Sequence, residues 1–266
     1  RLHASMGARG IYMDQLAAMY PELCSAEGHG HDADSFGFWN RATLALLRLV
    51  KQAGREIEPR FFIEVEGAAD LYARYVDRFF CYCGRMPKLA YPELLHYTVP
   101  WVRADVGFPP LRDPAGTLRL IQRVFLVGAI FRLAGGGPTG PFDPQAPVFT
   151  SEAARLLKAA IRARRRLRTL FDGGRYMDDV GIQARGCSDA RWFHAPAGIL
   201  IVAVADADGA QVTLTDPPPV DGGGAWALDW LSGKRRPAAV AQVQGALTVT
   251  KLSKGINLIV IPARPV

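Results

Sequence analysis

Two short apolar runs near the start of the chain each end in a carboxylate. Gly10-Ile11-Tyr12-Met13 runs into Asp14 and Gln15, and Arg60-Phe61-Phe62-Ile63-Glu64-Val65 runs into Glu66 and Gly67. Between them lie a polar stretch, Pro21 to Gly37, and an amphipathic one, Phe38 to Lys51. In the latter Trp39, Ala42, Leu46, Leu49 and Val50 recur at helical spacing, with Arg41, Arg48, Lys51 and Gln52 on the other side. Strand, loop, helix, strand is the unit that builds parallel sheets, and in a barrel of such units the reactive groups sit at the C-terminal ends of the strands. Side chains alternate along a strand, so Phe62, Glu64 and Glu66 share one face and Phe61, Ile63 and Val65 the other.

Further along, Leu71, Tyr75, Val76 and Phe79 predict a helix over Ala68 to Phe80. Leu94, Leu95, Tyr97 and Val99 predict a strand stopped by Pro100. Thr117 to Leu133 and Ser151 to Phe171 read as helices, the second opening on an N-cap and an acidic residue, Ser151-Glu152. Beyond about Arg185 the pattern changes to short β-type runs separated by Gly, Pro and Asp: Ile199 to Ala205, Gln211 to Thr215, Ala225 to Leu231, Ala238 to Gln242, Ala246 to Lys251 and Ile256 to Ile261. The expected fold class is α/β. Residues 1–190 would form the C-terminal half of a (β/α)8 barrel, followed by an antiparallel β-sandwich over residues 191–266. Arg1 to Gly7 reads as the tail of a helix entering a strand, so the expected barrel is incomplete on its N-terminal side.

Composition changes this picture little. At 266 residues, 49% hydrophobic and 21% charged, the chain is ordinary globular protein. The net charge of +7 owes much to one cluster, Arg162, Arg164, Arg165, Arg166 and Arg168. A charge run on a single helix is usually a solvated face, so no nucleic-acid partner is expected. Cys24, Cys81, Cys83 and Cys187 make no disulfide framework, and Cys81-Tyr82-Cys83 lacks the two-residue gap of a redox or zinc motif. No apolar stretch approaches the roughly 20 residues of a membrane helix, and the expectation is a soluble protein. No motif carries compartment or oligomeric state.

Asp14 and Glu66, ending neighbouring parallel strands, are the arrangement that glycosidic cleavage needs: one carboxylate attacks the sugar while the other protonates the leaving oxygen. The same placement also suits metal and enolase-type sites. Glu64, one pleat deeper, is a second candidate for the acid. The loop from Tyr20 to Gly37 is rich in binding groups, namely Glu22, Cys24, Glu27, His29, His31, Asp32 and Asp34. His29 and His31 suit hydrogen bonding to sugar hydroxyls, and with Cys24 and Asp32 they also offer a zinc-like donor set, although the spacing fits no common structural zinc pattern. Tyr12, Gln15, Trp101 and Arg103 complete the candidate substrate-binding set.

Gly-Ile-Tyr-Met-Asp-Gln at 10–15, Pro-Glu-Leu-Cys at 21–24 followed by His29-Gly30-His31, and Val-Glu-Gly-Ala-Ala-Asp-Leu-Tyr at 65–72 resemble a bacterial family of glycoside-hydrolase-like proteins. That family has a domain formerly of unknown function on a (β/α)8 barrel and is distantly akin to the α-N-acetylgalactosaminidases and α-galactosidase-like enzymes. The resemblance extends through Phe171-Asp172-Gly173-Gly174-Arg175-Tyr176. It implies a retaining hydrolase of α-linked sugars with Asp14 as nucleophile and Glu66 as acid/base, a carbohydrate substrate and no cofactor. Two rivals stay open: a non-catalytic sugar-binding protein on the same scaffold, and a metal-dependent hydrolase using His29 and His31.

Overall fold

The structure is a computed structural model that describes residues 7–17, 24–28, 30–31, 37–81, 91–108, 113–133 and 151–264. The chain divides into two compact units, with the boundary between Gly107 and Phe108.

In the first unit, strands β1 (Gly10–Met13), β2 (Phe62–Glu66), β3 (Arg78–Cys81) and β4 (Arg103–Phe108) lie side by side in that order, each parallel to the next. Helix α1 (Phe38–Arg55) is the connection between β1 and β2. Its buried positions are Thr43, Leu47 and Gly54, whereas Leu46 and Leu49 are 43% and 63% exposed. The expected face was therefore turned. Between residues 42 and 50 the apolar side chains go most of the way round the helix, so periodicity alone did not select a face. Gly54 is set by close approach, since a Cβ there would lie 2.2 Å from the Phe61 ring.

Two expected elements are corrected. Ala68 to Phe80 is no helix: it holds one turn of 3-10 helix (Asp70–Tyr72), further turns, and then β3. Tyr72, Ala73 and Val76 are buried in the tight connection while Phe79 belongs to the strand, which mimicked helical spacing. Asp77 brings the chain straight back to β2: its amide donates to the Ile63 carbonyl (2.9 Å), and its carboxylate accepts from the Ile63 amide (2.9 Å) and from Lys51 Nζ on α1 (2.9 Å). Conversely, the expected strand over residues 94–99 is helix α2 (Tyr91–Thr98). Leu95 and Val99, four apart, are buried while Leu94 and Tyr97 are exposed, which is a helical pattern; the strand, β4, follows it.

In the second unit, helix α3 (Pro114–Val127) is capped by Asp113, which accepts from the Ala115 amide, and ends at Gly128 in the left-handed region. Strand β5 (Ile130–Leu133) follows, so the helix expected to reach Leu133 is split by that glycine. Helix α4 (Glu152–Arg166) starts at Ser151, whose hydroxyl accepts from the Ala154 amide at 3.1 Å, as its N-cap pattern implies, and α5 (Arg168–Phe171) continues from it. Arg164 is buried, and its guanidinium donates to the carbonyls of Ala129 (2.9 Å) and Gly128 (3.0 Å) and to Asp172 (2.7 Å). One of the clustered arginines thus ties the end of α3 to α4 and α5.

Two antiparallel sheets follow. One has the order β13 (Ala239–Val243), β14 (Ala246–Leu252), β10 (Ala210–Thr215), β7 (Ile182–Arg185). The other runs β12 (Arg235–Pro237), β11 (Trp226–Leu228), β15 (Gly255–Pro262), β9 (Gly198–Ala205), β8 (Cys187–Ala195), β6 (Arg175–Asp178). Val212, Leu214, Leu247 and Val249 from the first share one core with Trp192, Ile199, Ile201, Ile259 and Ile261 from the second. Each of the six expected β runs contains a strand, although in Ala225 to Leu231 only Trp226–Leu228 is one and the chain turns at Trp230 and Leu231. β6, β7, β8 and β12 were missed, because they carry charged residues such as Asp189 and Arg191. Arg191 pairs with Asp178 at 2.6 Å and with Asp189.

Gly128 has φ +66°, and an added Cβ would lie 2.6 Å from the Phe193 ring. Gly128→Ala is expected to cost more than about 1 kcal/mol through backbone strain and the clash together. Urea unfolding followed by circular dichroism checks this.

Candidate active site

Register places the polar residues of the first unit in rows. Tyr12 is opposite Glu64, Glu64 opposite Arg78, and Arg78 opposite Arg103. One pleat nearer the C-terminal ends, Glu66 is opposite Phe80 and Phe80 opposite Asp105, and Asp14 continues this row one residue past β1. All of these share one face, while Ile63, Val65, Phe79, Ala104 and Val106 form the buried face behind it.

The turn after β1 is stitched to the end of β2. Gln15 has φ +59°, a left-handed conformation that non-glycine residues adopt at a cost. It directs the Gln15 amide onto Glu66 Oε2 at 2.9 Å, and the Ala17 amide reaches the Glu66 carbonyl at 3.1 Å. Tyr12 donates its hydroxyl to Asp14 Oδ1 at 2.8 Å while its ring meets Phe80 edge-on, with centroids 6.2 Å apart. Asp14 is exposed, Glu66 half-buried and Glu64 buried. Tyr12, Asp14, Gln15, Glu64 and Glu66 are thus brought together, with Gln15 contributing its backbone amide. Arg78 lies over the Phe62 ring at 4.2 Å, which keeps that guanidinium on the same face.

Trp101 and Arg103 are not brought to this end. With α2 standing where a strand was expected, they fall at the start of β4, at the opposite end of the strands from Asp14 and Glu66. The Trp101 indole donates to the Ala73 carbonyl (3.1 Å) and the Arg103 guanidinium to the Pro100 carbonyl (3.1 Å). The His31 ring stacks on Phe38, centroids 3.6 Å apart, at the entrance to α1, and Cys24 is half-buried. His29, Glu22, Asp32 and Asp34 lie outside the described residues. Among the described residues, no three His, Cys, Asp or Glu side chains gather as a metal site would require.

Asp105 was missed. Its carboxylate is 1% exposed, on β4, in the same row as Glu66. The signal was the alternating run Val102-Arg103-Ala104-Asp105-Val106, passed over because the strand had been assigned one element too early.

Residues 1–90 match a family model described as a domain of unknown function, DUF6259. No curated protein matches the sequence. Among solved structures, the chain is similar to a noncanonic maltogenic α-amylase, AmyB, from Thermotoga neapolitana. The TM-score is 0.55 and the identity 8%, over 97% of this chain and 63% of that one. It is also similar to an α-amylase from Lactobacillus plantarum (TM-score 0.51, 12% identity, 98% of this chain and 64% of that one). A third is AmyP in complex with maltose (TM-score 0.52, 11% identity, 99% and 66%). The chain therefore spans less than two thirds of these amylases' length. At such identities the likeness is one of fold, and the fold is of the kind found in glycoside hydrolases. No described helix is long and apolar enough to cross a membrane.

Asp77 fixes the start of β2 against α1 and so sets where Glu66 emerges. Asp77→Ala removes the acceptor of the Ile63 amide and of Lys51, and should cost about 1–3 kcal/mol. A lowered thermal midpoint with a native-like circular dichroism spectrum is the expected result.

Proposed function

We propose that the chain carries the catalytic carboxylates of a retaining glycoside hydrolase acting on α-linked sugars, with Asp14 as nucleophile and Glu66 as acid/base. In this reading residues 1–190 belong to a (β/α)8 barrel, represented by its C-terminal half, and residues 191–266 to an antiparallel β-sandwich. The observation that carries the proposal is the pairing of Asp14 and Glu66 at the C-terminal ends of two adjacent parallel strands, held by the Gln15 amide on Glu66. Neighbouring strands lie about 4.8 Å apart. That spacing suits the roughly 5–5.5 Å between carboxylates of retaining enzymes better than the about 6.5–9.5 Å that inverting enzymes need for a water. The α-amylase likeness of the fold supports an α-linked substrate by analogy of scaffold.

Each side chain then has a task. Asp14, its Oδ1 held by the Tyr12 hydroxyl, attacks the anomeric carbon and forms a glycosyl ester while the bond to the leaving oxygen breaks. Glu66 gives its proton to that oxygen, then takes one from the water that opens the ester, returning both carboxyls to their starting states. Asp105, buried in the same row, places a further carboxyl group on the face where the sugar ring becomes oxocarbenium-like. Gln15, Glu64 and His31 are assigned to substrate positioning, and His29 with them by sequence alone. No step calls for a cofactor.

A panel of nitrophenyl α- and β-glycosides identifies the substrate. Asp14→Ala should abolish turnover. Glu66→Ala should lose roughly 10²–10⁴-fold on poor leaving groups and little in the first step on good ones. Azide should rescue the Glu66 variant, giving a glycosyl azide of retained configuration. Rescue of Glu64→Ala instead moves the acid/base to Glu64, and a first product of inverted configuration removes the nucleophile role from Asp14. Tyr12→Phe, which leaves the fold intact but releases Asp14 Oδ1, should lower kcat about tenfold, the rate equivalent of one hydrogen bond to a charged group.

A further inference from the structure

The arginine run on α4 divides by face. Arg164 is buried and structural, whereas Arg162, Arg165 and Arg166 are exposed. Beside them passes the loop between β11 and β12, fixed to the helix by the Arg166 guanidinium, which donates to the Gly233 carbonyl. On one side of this loop is a cavity of about 590 Å³ floored by Leu118, Gln122 and Trp230, with Lys234, Arg235, Arg236 and Lys254 exposed around it. On the other side a shallower hollow of about 360 Å³ is lined by Arg162, Arg165 and Arg166. Trp230 and Leu231 contribute to both and form the ridge between them.

The positive charge there is only partly compensated: alongside the Ser232 hydroxyl, Arg236 helps to hold the Asp229 carboxyl low, and Asp208 accepts from the Lys254 amide at 2.7 Å, but no tight ion pair forms among the described residues. The acidic residue lining the cavity, Asp229, is turned into its own loop, accepting from the Ser232 hydroxyl (2.6 Å) and from the amides of Leu231 (3.0 Å) and Ser232 (3.3 Å). The Ser232 hydroxyl, against a smaller burial penalty and with help from those amides, holds that carboxyl below its ordinary range. Among the described residues, no carboxylate lies within ion-pair distance of Lys234, Arg235, Arg236 or Lys254.

We propose that this surface binds an acidic polysaccharide, with carboxylate-bearing sugars seated in the two hollows and the chain crossing Leu231. The cavity is within the size range of small-molecule sites. Clustered guanidinium and ammonium groups suit carboxylates, arginine through its paired donors. Single-stranded nucleic acid leans on exposed aromatic faces for its bases. Here Trp230 is only 7% exposed, and the nearby Trp226 face is covered by Arg235 at 4.1 Å. Recognition therefore runs through charge and hydrogen bonds rather than stacking, which disfavours both nucleic acid and neutral glycans. The choice of a sugar polymer as the source of the carboxylates rests on the glycosidase reading of the chain.

Calorimetric titration of the full chain with an oligogalacturonate, a neutral malto-oligosaccharide of the same length and a single-stranded oligodeoxynucleotide of equal charge tests this. The oligogalacturonate should bind, and bind more weakly as salt rises. Joint substitution of Lys234→Ala and Lys254→Ala, both exposed, should weaken it at least tenfold without moving the thermal midpoint. The proposal is overturned if the neutral sugar binds as well, if the oligonucleotide binds as tightly, or if the double variant binds unchanged. The titration reads binding alone, so loss of turnover in Asp14→Ala leaves it untouched. An inactive protein that still binds the uronate sinks the glycosidase reading and not this site.

Discussion

The candidate site depends on one alignment: β1 and β2 run parallel, in a register that brings residue 14 level with residue 66. A slip of one residue would turn every side chain of β1 to the other face, burying Asp14 and exposing Met13. The register is held at both ends of β2. Asp77 grips the Ile63 amide near its start, and the left-handed turn at Gln15 sets an amide on the Glu66 carboxylate at its end. Gln15 thus keeps a strained conformation at the point where the two carboxylates of the candidate site come together, and strain of this kind commonly clusters at functional sites.

The second unit uses the same device, a polar group at a junction of elements, for a different purpose. Arg164 enters an otherwise apolar junction and satisfies the carbonyls left over at the end of α3, with Asp172 balancing its charge. Phe171 lies beneath it, its ring centroid 4.6 Å from the guanidinium carbon, and meets Phe193 of β8 edge-on. A buried charge is tolerable only when paired and hydrogen-bonded; here Asp172 supplies the pair, and the hydrogen bonds go to backbone that a helix end must expose in any case. The neighbouring arginines have no such role and remain at the surface.

What the sequence made legible follows from how local each signal is. The two carboxylate-ending strands, the helix between them, the Ser151 cap and the six apolar β runs are written in contiguous residues, and all are present. The failures came where burial belongs to tertiary packing. Leu71, Tyr75, Val76 and Phe79 imitate helical spacing, although only Val76 in a tight turn and Phe79 in a strand are buried and Leu71 is exposed. Leu94 to Val99 has apolar residues at mixed spacing that fit either state. That second misassignment had consequences for the site: it placed Trp101 and Arg103 at the wrong end of a strand and hid Asp105 inside an unrecognised one. His31 was legible as a residue but not as a contact, since its stacking on Phe38 depends on the path of the loop.

The row structure of the first unit also explains how one face carries so many acids. Glu64 and Asp105 are nearly inaccessible to water, and burying carboxylates is costly without cations on the same face. The same face carries two cations: Arg78 is opposite Glu64 with its guanidinium over the Phe62 ring, and Arg103 is two residues before Asp105 with its guanidinium on the Pro100 carbonyl. The row nearer the C-terminal ends carries Asp14, Glu66 and Asp105, while the deeper row mixes Glu64 with Arg78 and Arg103. An arrangement built only for stability would do better with apolar side chains in these positions. Acidic side chains kept on this face despite that cost fit the proposal that positive charge develops above it during reaction.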